Sequence, residues 1–314
     1  MRDRIKTDRT ATAILTADIH LRDDTPACRT DDFLAARARK VAWLRDLQDK
    51  HDDCPIIDAG DMFNKWQVSS ELEGWALINL PNGIITVPGN HDLPNHNLKL
   101  YKKSSLHVLE AAGKVKVLSG DSPGMRGIVI NEMSIIGYPY GDQLDLTITT
   151  PLSTPRIAIV HAYVAETIPV FIEGYTPAQL LAALPGYDLI VSGHNHESLD
   201  YVVTDRKGNK RLVVNPGGMM RMSADQADIR PGVYLWYADT NEVKRLDYPI
   251  ESGVVSREHL EKVEERDARM EAFVSRLDNS GVEVGLSFER NVEQYLVTNK
   301  IKKETRDMIR EAIK

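Results

Sequence analysis

The chain lacks most of what would mark an extracellular, membrane-spanning or fibrous protein. Its 314 residues include only two cysteines, Cys28 and Cys54. Two cysteines outside any metal or redox spacing cannot form a disulfide framework, so free thiols in a reducing cytoplasm are the expectation. No apolar stretch reaches transmembrane length, and the opening run Met1 to Asp8 is charged where a secretory signal would be apolar. No low-complexity tract suggests disorder. Positive charge is also short: 39 basic residues against 46 acidic ones leave a net charge of −7. That balance argues against a broad basic face for sequence-independent DNA binding. A nuclease is still allowed, because bound dications reverse the field locally.

What the chain does have is histidine in the right places. Five motifs stand in order: Asp18-Ile19-His20, Gly60-Asp61, Gly89-Asn90-His91-Asp92, His161 and Gly193-His194-Asn195-His196. They hold five of the nine histidines. Each motif alone has a plain alternative, since a histidine after a strand is usually core or surface and an aspartate is usually a cap or turn former. Together they supply seven candidate ligands (Asp18, His20, Asp61, Asn90, His161, His194 and His196) with His91 to spare. Two divalent ions roughly 3.5–4 Å apart can activate water, neutralise a phosphate and steady a leaving oxygen. Imidazole, carboxylate and amide oxygen together suit Mn, Fe or Zn better than Ca, and the absence of thiolate argues against a closed structural zinc site.

Every motif follows a short apolar run: 13–17, 54–58, 83–88, 156–160 and 188–192. Continuous runs of this length predict strands covered on both faces, and ligands at their carboxyl ends would meet at one sheet edge. The intervening 31–48, 69–80 and 97–112 have helical periodicity, the first with an acidic first turn. Residues 127–138 predict a hairpin, and the loop from His161 to about Tyr175 is long enough to shape access to a site. The fold class expected is α/β.

This ordered set resembles the calcineurin-like metallophosphoesterases over roughly residues 13–220. The resemblance implies a four-layer αββα sandwich of the metallophosphoesterase type. It further implies that Asp18, His20 and His196 hold one ion, that Asn90, His161 and His194 hold the other, and that Asp61 bridges them. His91 would donate to the phosphate or protonate the leaving oxygen, a role suited to an imidazole. Asp92 would orient His91 or a ligand. Two divalent ions are implied, Mn2+ first, with Fe, Zn or Mg as alternatives.

Finer marks are similar to the SbcD-type, meiotic-recombination class of repair nucleases. These are Leu15 to Leu21, Ala59 to Phe63, Gly137-Tyr138-Pro139-Tyr140-Gly141, and the turn Asn215-Pro216-Gly217-Gly218 running through Arg221 to Ser223 after a hairpin. Position 64 is Asn where many such nucleases carry His. Asn64 and Arg221 are the expected substrate contacts, with Arg22, Lys65, Lys99, Lys102 and Lys103 as further phosphate candidates. That resemblance implies DNA as substrate, double- or single-stranded, a homodimer, and an SbcC-like coiled-coil ATPase docked on C-terminal helices, with no membrane attachment.

The chain divides by pattern into a phosphoesterase region, 1–250, and a helical C-terminal region, 251–314. In the latter Leu260, Val263, Met270, Val274 and Leu277 keep a heptad-like spacing. The leading function is a DNA exonuclease or endonuclease in repair, recombination or replication. A small-molecule phosphodiesterase or nucleotide phosphatase is the alternative. A non-catalytic metal-binding subunit is the third possibility.

Overall fold

The computed structural model describes residues 9–120, 126–144, 155–256, 288–299 and 301–312. It divides into two compact units, Met1–Ser256 and Arg257–Lys314. In the first unit the chain forms strands β1 (Ala13–Thr16), β2 (Ile56–Asp58), β3 (Ile84–Thr86) and β4 (Val115–Val117), then the hairpin β5 (Gly127–Ile130) and β6 (Met133–Tyr138). Strands β7 (Arg156–His161), β8 (Leu189–Gly193), β9 (Leu199–Thr204), β10 (Lys210–Asn215), β11 (Gly232–Tyr237) and β12 (Glu242–Asp247) follow. They assemble into two mixed sheets, ordered β12-β11-β1-β2-β3-β4 and β5-β6-β7-β8-β10-β9. Strands β1 to β4 run parallel, as do β6, β7, β8 and β10, whereas β11, β12, β5 and β9 pair antiparallel with their neighbours.

The apolar runs are continuous because both faces are covered. On the first sheet Ile14, Ile56 and Ile84 pack under helices α1 (Phe33–Asp49), α2 (Ser70–Asn79) and α3 (Ser105–Ala111). The alternating Leu15, Ile57 and Ile85 meet Ile157, Ile159, Leu189 and Val191 of the second sheet. On that sheet's far side Ala158, Val160 and Ile190 pack under α4 (Pro177–Ala183). The order is helix, sheet, sheet, helix. This is the expected αββα sandwich.

Several local expectations are corrected. Asp31 and Asp32 precede α1 instead of forming its first turn; Asp32 is the N-cap and accepts from Ala35 N. The helix expected over 97–112 breaks at Ser104, which is extended and caps α3 by accepting from His107 N, leaving a 3₁₀ stretch Leu98–Lys103 before it. Helix α4 was not foreseen, although Thr176 and Gln179 form a capping box with Pro177 at the first position.

The second unit contains helices α5 (Phe288–Thr298) and α6 (Lys303–Ala312), with Val292 and Leu296 buried and Met308 exposed. The heptad positions at 260–277 lie outside the described residues. Among the described residues no helix is long and apolar enough to cross a membrane.

Candidate metal centre

The parallel strands deliver their carboxyl ends to one edge, and the motifs sit just beyond them. Asp18 comes two residues after β1, Asp61 three after β2 and Asn90 four after β3; His161 ends β7 and His194 follows β8 directly. The register pairs His161 with Gly193, which brings His161 and His194 side by side with ring centroids 5.3 Å apart.

Backbone strain concentrates here. Asp18, His20, Asp61 and His194 all have positive φ, at 50°, 47°, 56° and 80°. Non-glycine residues in this region cost on the order of 1–3 kcal/mol each and persist only where the surroundings over-determine them. The surroundings do so. Asp18 N donates to Gly60 O at 3.0 Å, His20 N to Asp61 O at 2.9 Å and Leu21 N to Met62 O at 2.9 Å, zipping the loop after β1 to the loop after β2. Gly89 has to lack a side chain, because a Cβ there would overlap Asp61 Oδ1.

The side chains form three overlapping groups able to hold a cation: Asp18, His20 and His196; His20, Asp61 and His91; Asp61, His161 and His194. Within each group the donor atoms lie within 4.8 Å of one another. Asp61 Oδ2 sits between the others, 3.6 Å from His20 Nε2 and 3.4 Å from His161 Nε2. Asn90 Oδ1 joins the last group, 3.1 Å from His161 Nε2 and 2.8 Å from His194 Nδ1.

The family model described as calcineurin-like phosphoesterase matches residues 11–198. The chain belongs to that family. As a calcineurin-like phosphoesterase it is a metal-dependent hydrolase of phosphate esters. No curated protein sequence matches it. Two solved structures are similar to it. A metallophosphoesterase from Sphaerobacter thermophilus is 16% identical, covering 78% of this chain and 90% of that one, with a TM-score of 0.37. The calcineurin-like phosphoesterase YfkN from Bacillus subtilis is 14% identical, covering 78% and 92%, with a TM-score of 0.44.

The family binds divalent metals, and the donor chemistry here fits them. His161 Nδ1 donates to Ala59 O at 2.6 Å; a carbonyl only accepts, so the neutral ring presents a lone pair on Nε2. That lone pair faces Asn90 Oδ1 and Asp61 Oδ2, so three acceptors converge as they would around a cation. Burial works against charge on His161, yet the carboxylates of Asp61 and Asp18 push its pKa up to about 9, so without a cation Nε2 holds a proton that a bound ion would displace. Burial first, and then the charge of Asp61, raises the pKa of Asp18 well above the usual carboxylate range despite the opposing His161. Two carboxylates this deeply buried call for a cation. Burial pulls the pKa of His20 down to about 3, and among the described residues its Nδ1 has no partner.

One corner needs a rearrangement before it can ligate. Met222 N donates to Gln226 Oε1 at 2.7 Å, so the Nε2 of that amide donates to His196 Nδ1 at 2.9 Å. The neutral His196 ring then carries its proton on Nε2, which faces His20 Nε2 at 3.1 Å. Ligation through Nε2 requires that proton to move to Nδ1, where the Gln226 amide opposes it.

The remaining expected residues fall in different places. His91 joins the cluster; its Nδ1 donates to Asn64 O at 2.9 Å and its backbone N to Asp61 Oδ1 at 2.8 Å. Among the described contacts the Asp92 carboxylate makes its hydrogen bonds away from the His91 ring. Its buried oxygens accept from Met62 N, Phe63 N and Gly89 N at 3.2, 3.1 and 3.0 Å, pinning the loop that carries Asp61 to the loop that carries Asn90. It positions two ligand loops. Asn64 acts through its backbone, as the carbonyl that fixes His91. Arg221 is corrected: its Nη atoms are spent on Ala227 O and Glu251 O at 2.8 and 2.9 Å, and it is 6% exposed. It braces the turn after β10. Of the other phosphate candidates, Arg22 is paired with Asp24.

Four supports escaped sequence reasoning. His96 Nδ1 donates to Asn90 O at 3.0 Å, Asn215 Nδ2 donates to Asn195 O at 2.8 Å, and Met219 N donates to Asp18 O at 3.1 Å. Tyr140 stands 5.7 Å from His194 and 6.2 Å from His161 by ring centroids. Its place in the Gly137 to Gly141 loop, just beyond β6, was the available signal.

Proposed function

We propose that the chain is a metal-dependent phosphodiesterase that cleaves DNA, as the SbcD-type nucleases it resembles do. When bound, a pair of divalent ions, Mn2+ first among the candidates, supplies activated water and neutralises charge on the phosphate. Asp18, His20, Asp61 and His196 would hold one ion and Asp61, Asn90, His161 and His194 the other. The observation that carries the reading is His91. Asn64 O takes the proton of its Nδ1, which leaves Nε2 as the nitrogen able to hold a proton for a departing alcohol. His91 also lies in one group with His20 and Asp61, where that proton is needed. A phosphoester expels an alkoxide, and a positioned acid protonates it as it departs.

Support for a DNA strand comes from exposed lysines beside the His91 loop. Lys65 follows Asn64 directly, and Lys99, Lys102 and Lys103 lie on the 3₁₀ stretch. These segments adjoin, because Ser105 N donates to Trp66 O and Val68 N to Ser105 Oγ. The same resemblance suggests a second copy and a coiled-coil ATPase as partners of the C-terminal helices. A nucleotide-sized diester is the second reading. It is favoured by the groove on the His161 side, whose described lining residues include no lysine or arginine.

Mn2+-dependent digestion of end-labelled single- and double-stranded DNA, with bis-p-nitrophenyl phosphate alongside, tests the proposal. Cleavage of DNA supports it. Hydrolysis of the small diester with DNA left intact moves the function to the second reading.

A further inference from the structure

We propose that the groove beside His161 and His194 is a base-accepting subsite, which holds the nucleobase of a nucleotide flanking the scissile phosphodiester. The inference rests on the phosphodiesterase reading and names the part of the substrate that this groove takes. The groove has a volume of about 900 Å³, and His161 and His194 are part of its lining. Sites for small ligands and cofactors span roughly 300–1,000 Å³. A phosphate held at the cluster therefore opens onto enough room for an attached nucleoside.

The walls suit a flat, uncharged ring. Tyr140 and Tyr163 stand 5.7 and 6.3 Å from the His194 ring by centroid, one on the loop after β6 and one on the loop after β7. Tyr175 and Phe171 line the same groove. Every nucleobase has a π-face, so aromatic walls accept bases with little regard to sequence. Charge points the same way: the described lining contains Asp142 and Glu173 and no cation, and Asp142 is already paired with Arg126 at 2.7 Å. The described lining thus offers a phosphate backbone no lysine or arginine.

The rim combines a fixed part and an open part. Tyr175 N donates to Tyr163 O at 2.9 Å, and a Cβ on Gly174 would come within 3.0 Å of the Tyr163 ring, so only glycine lets that ring lie where it does. Val170 and Phe171, at the loop's tip, are 92% and 100% exposed. Fully exposed aromatic surface over a groove is suited to covering a planar ligand.

Kinetics on two diesters with the same leaving group test this with the full-length, Mn2+-loaded protein. The diesters are thymidine 5′-(p-nitrophenyl phosphate) and methyl p-nitrophenyl phosphate. The wild type is expected to prefer the thymidine diester about tenfold or more in kcat/KM, mainly through KM, given the usual worth of base stacking. Tyr163→Ala should collapse that ratio towards one, and Tyr163→Phe should restore it. Saturation-transfer NMR with free thymidine reads the groove without catalysis. Transfer to the thymine protons in the wild type, lost in Tyr163→Ala, supports the subsite. Oligothymidylate competing better than thymidine monophosphate assigns the base to a DNA strand, and equal competition assigns it to a free nucleotide. Equal rates on both diesters together with no transfer from thymidine overturn the subsite and leave the phosphodiesterase reading standing. If neither diester is cleaved, that reading fails, and the NMR result alone decides whether the groove takes a base.

Discussion

The backbone carbonyl of Asn64 accepts the Nδ1 proton of His91 at 2.9 Å, and this fixes which ring nitrogen faces the chemistry. An asparagine side chain at position 64 is therefore no loss to the tautomer of His91. His91→Ala should lower kcat on a diester by about 10²–10⁴-fold, the usual worth of a positioned acid. Its bound metal, read by inductively coupled plasma spectrometry, should stay at the wild-type level. Undiminished turnover would remove His91 from the mechanism.

Asp92, itself buried, holds three backbone amides of two ligand loops. Asp92→Asn turns an NH2 group towards donors, and leaving a buried donor unmet costs about 1–3 kcal/mol. A fall in Tm of several degrees is expected, together with weaker retention of metal on dialysis. A variant with unchanged Tm and metal content would show that the amides find other acceptors.

Gln226 sets the proton on His196. Gln226→Glu would accept from His196 Nδ1 while keeping the Met222 N contact, so it should tighten metal binding at the Asp18, His20 and His196 corner, as outer carboxylates do for ligating histidines. Gln226→Leu should not tighten it. Competition with a chromogenic chelator separates the two variants, and identical affinities would contradict the assignment.

His51, just past the end of α1 and part of no motif, gives a pH dependence of its own. Ala11 N donates to its Nδ1 at 3.1 Å, and burial lowers its pKa below the ordinary 6.5. The unfolded chain thus binds more protons below pH 6.5, so stability present above that pH is lost as pH falls through it. Urea unfolding at pH 7.5 and pH 5.5 should show a smaller acid loss in His51→Gln than in the wild type. An equal loss in both would place the acid sensitivity elsewhere.

Much of this architecture was legible in the sequence. Runs such as Ile56-Ile57 and Ile84-Ile85 read as strands because alternate residues enter two separate cores, one under helices and one between sheets. The ligand set was legible because each donor follows such a run. The supports were not, because they depend on backbone atoms brought together across the fold: Asn64 O under His91, Ala59 O under His161, and Asp18 O under Met219 N. Arg221 was misread for the same reason. Its partners lie at 227 and 251, and a side chain's burial cannot be read from its own segment.

Metal stoichiometry joined to turnover tests the central claim most directly. Apo protein titrated with Mn2+ should bind two ions per chain, with hydrolysis of bis-p-nitrophenyl phosphate rising as the second ion binds. Asn90→Ala should hold one ion and lose most turnover, and Asp61→Ala should lose both ions and activity. Full turnover by Asp61→Ala, or a wild type that binds no more than one ion while active, would contradict a two-metal centre built from these seven residues.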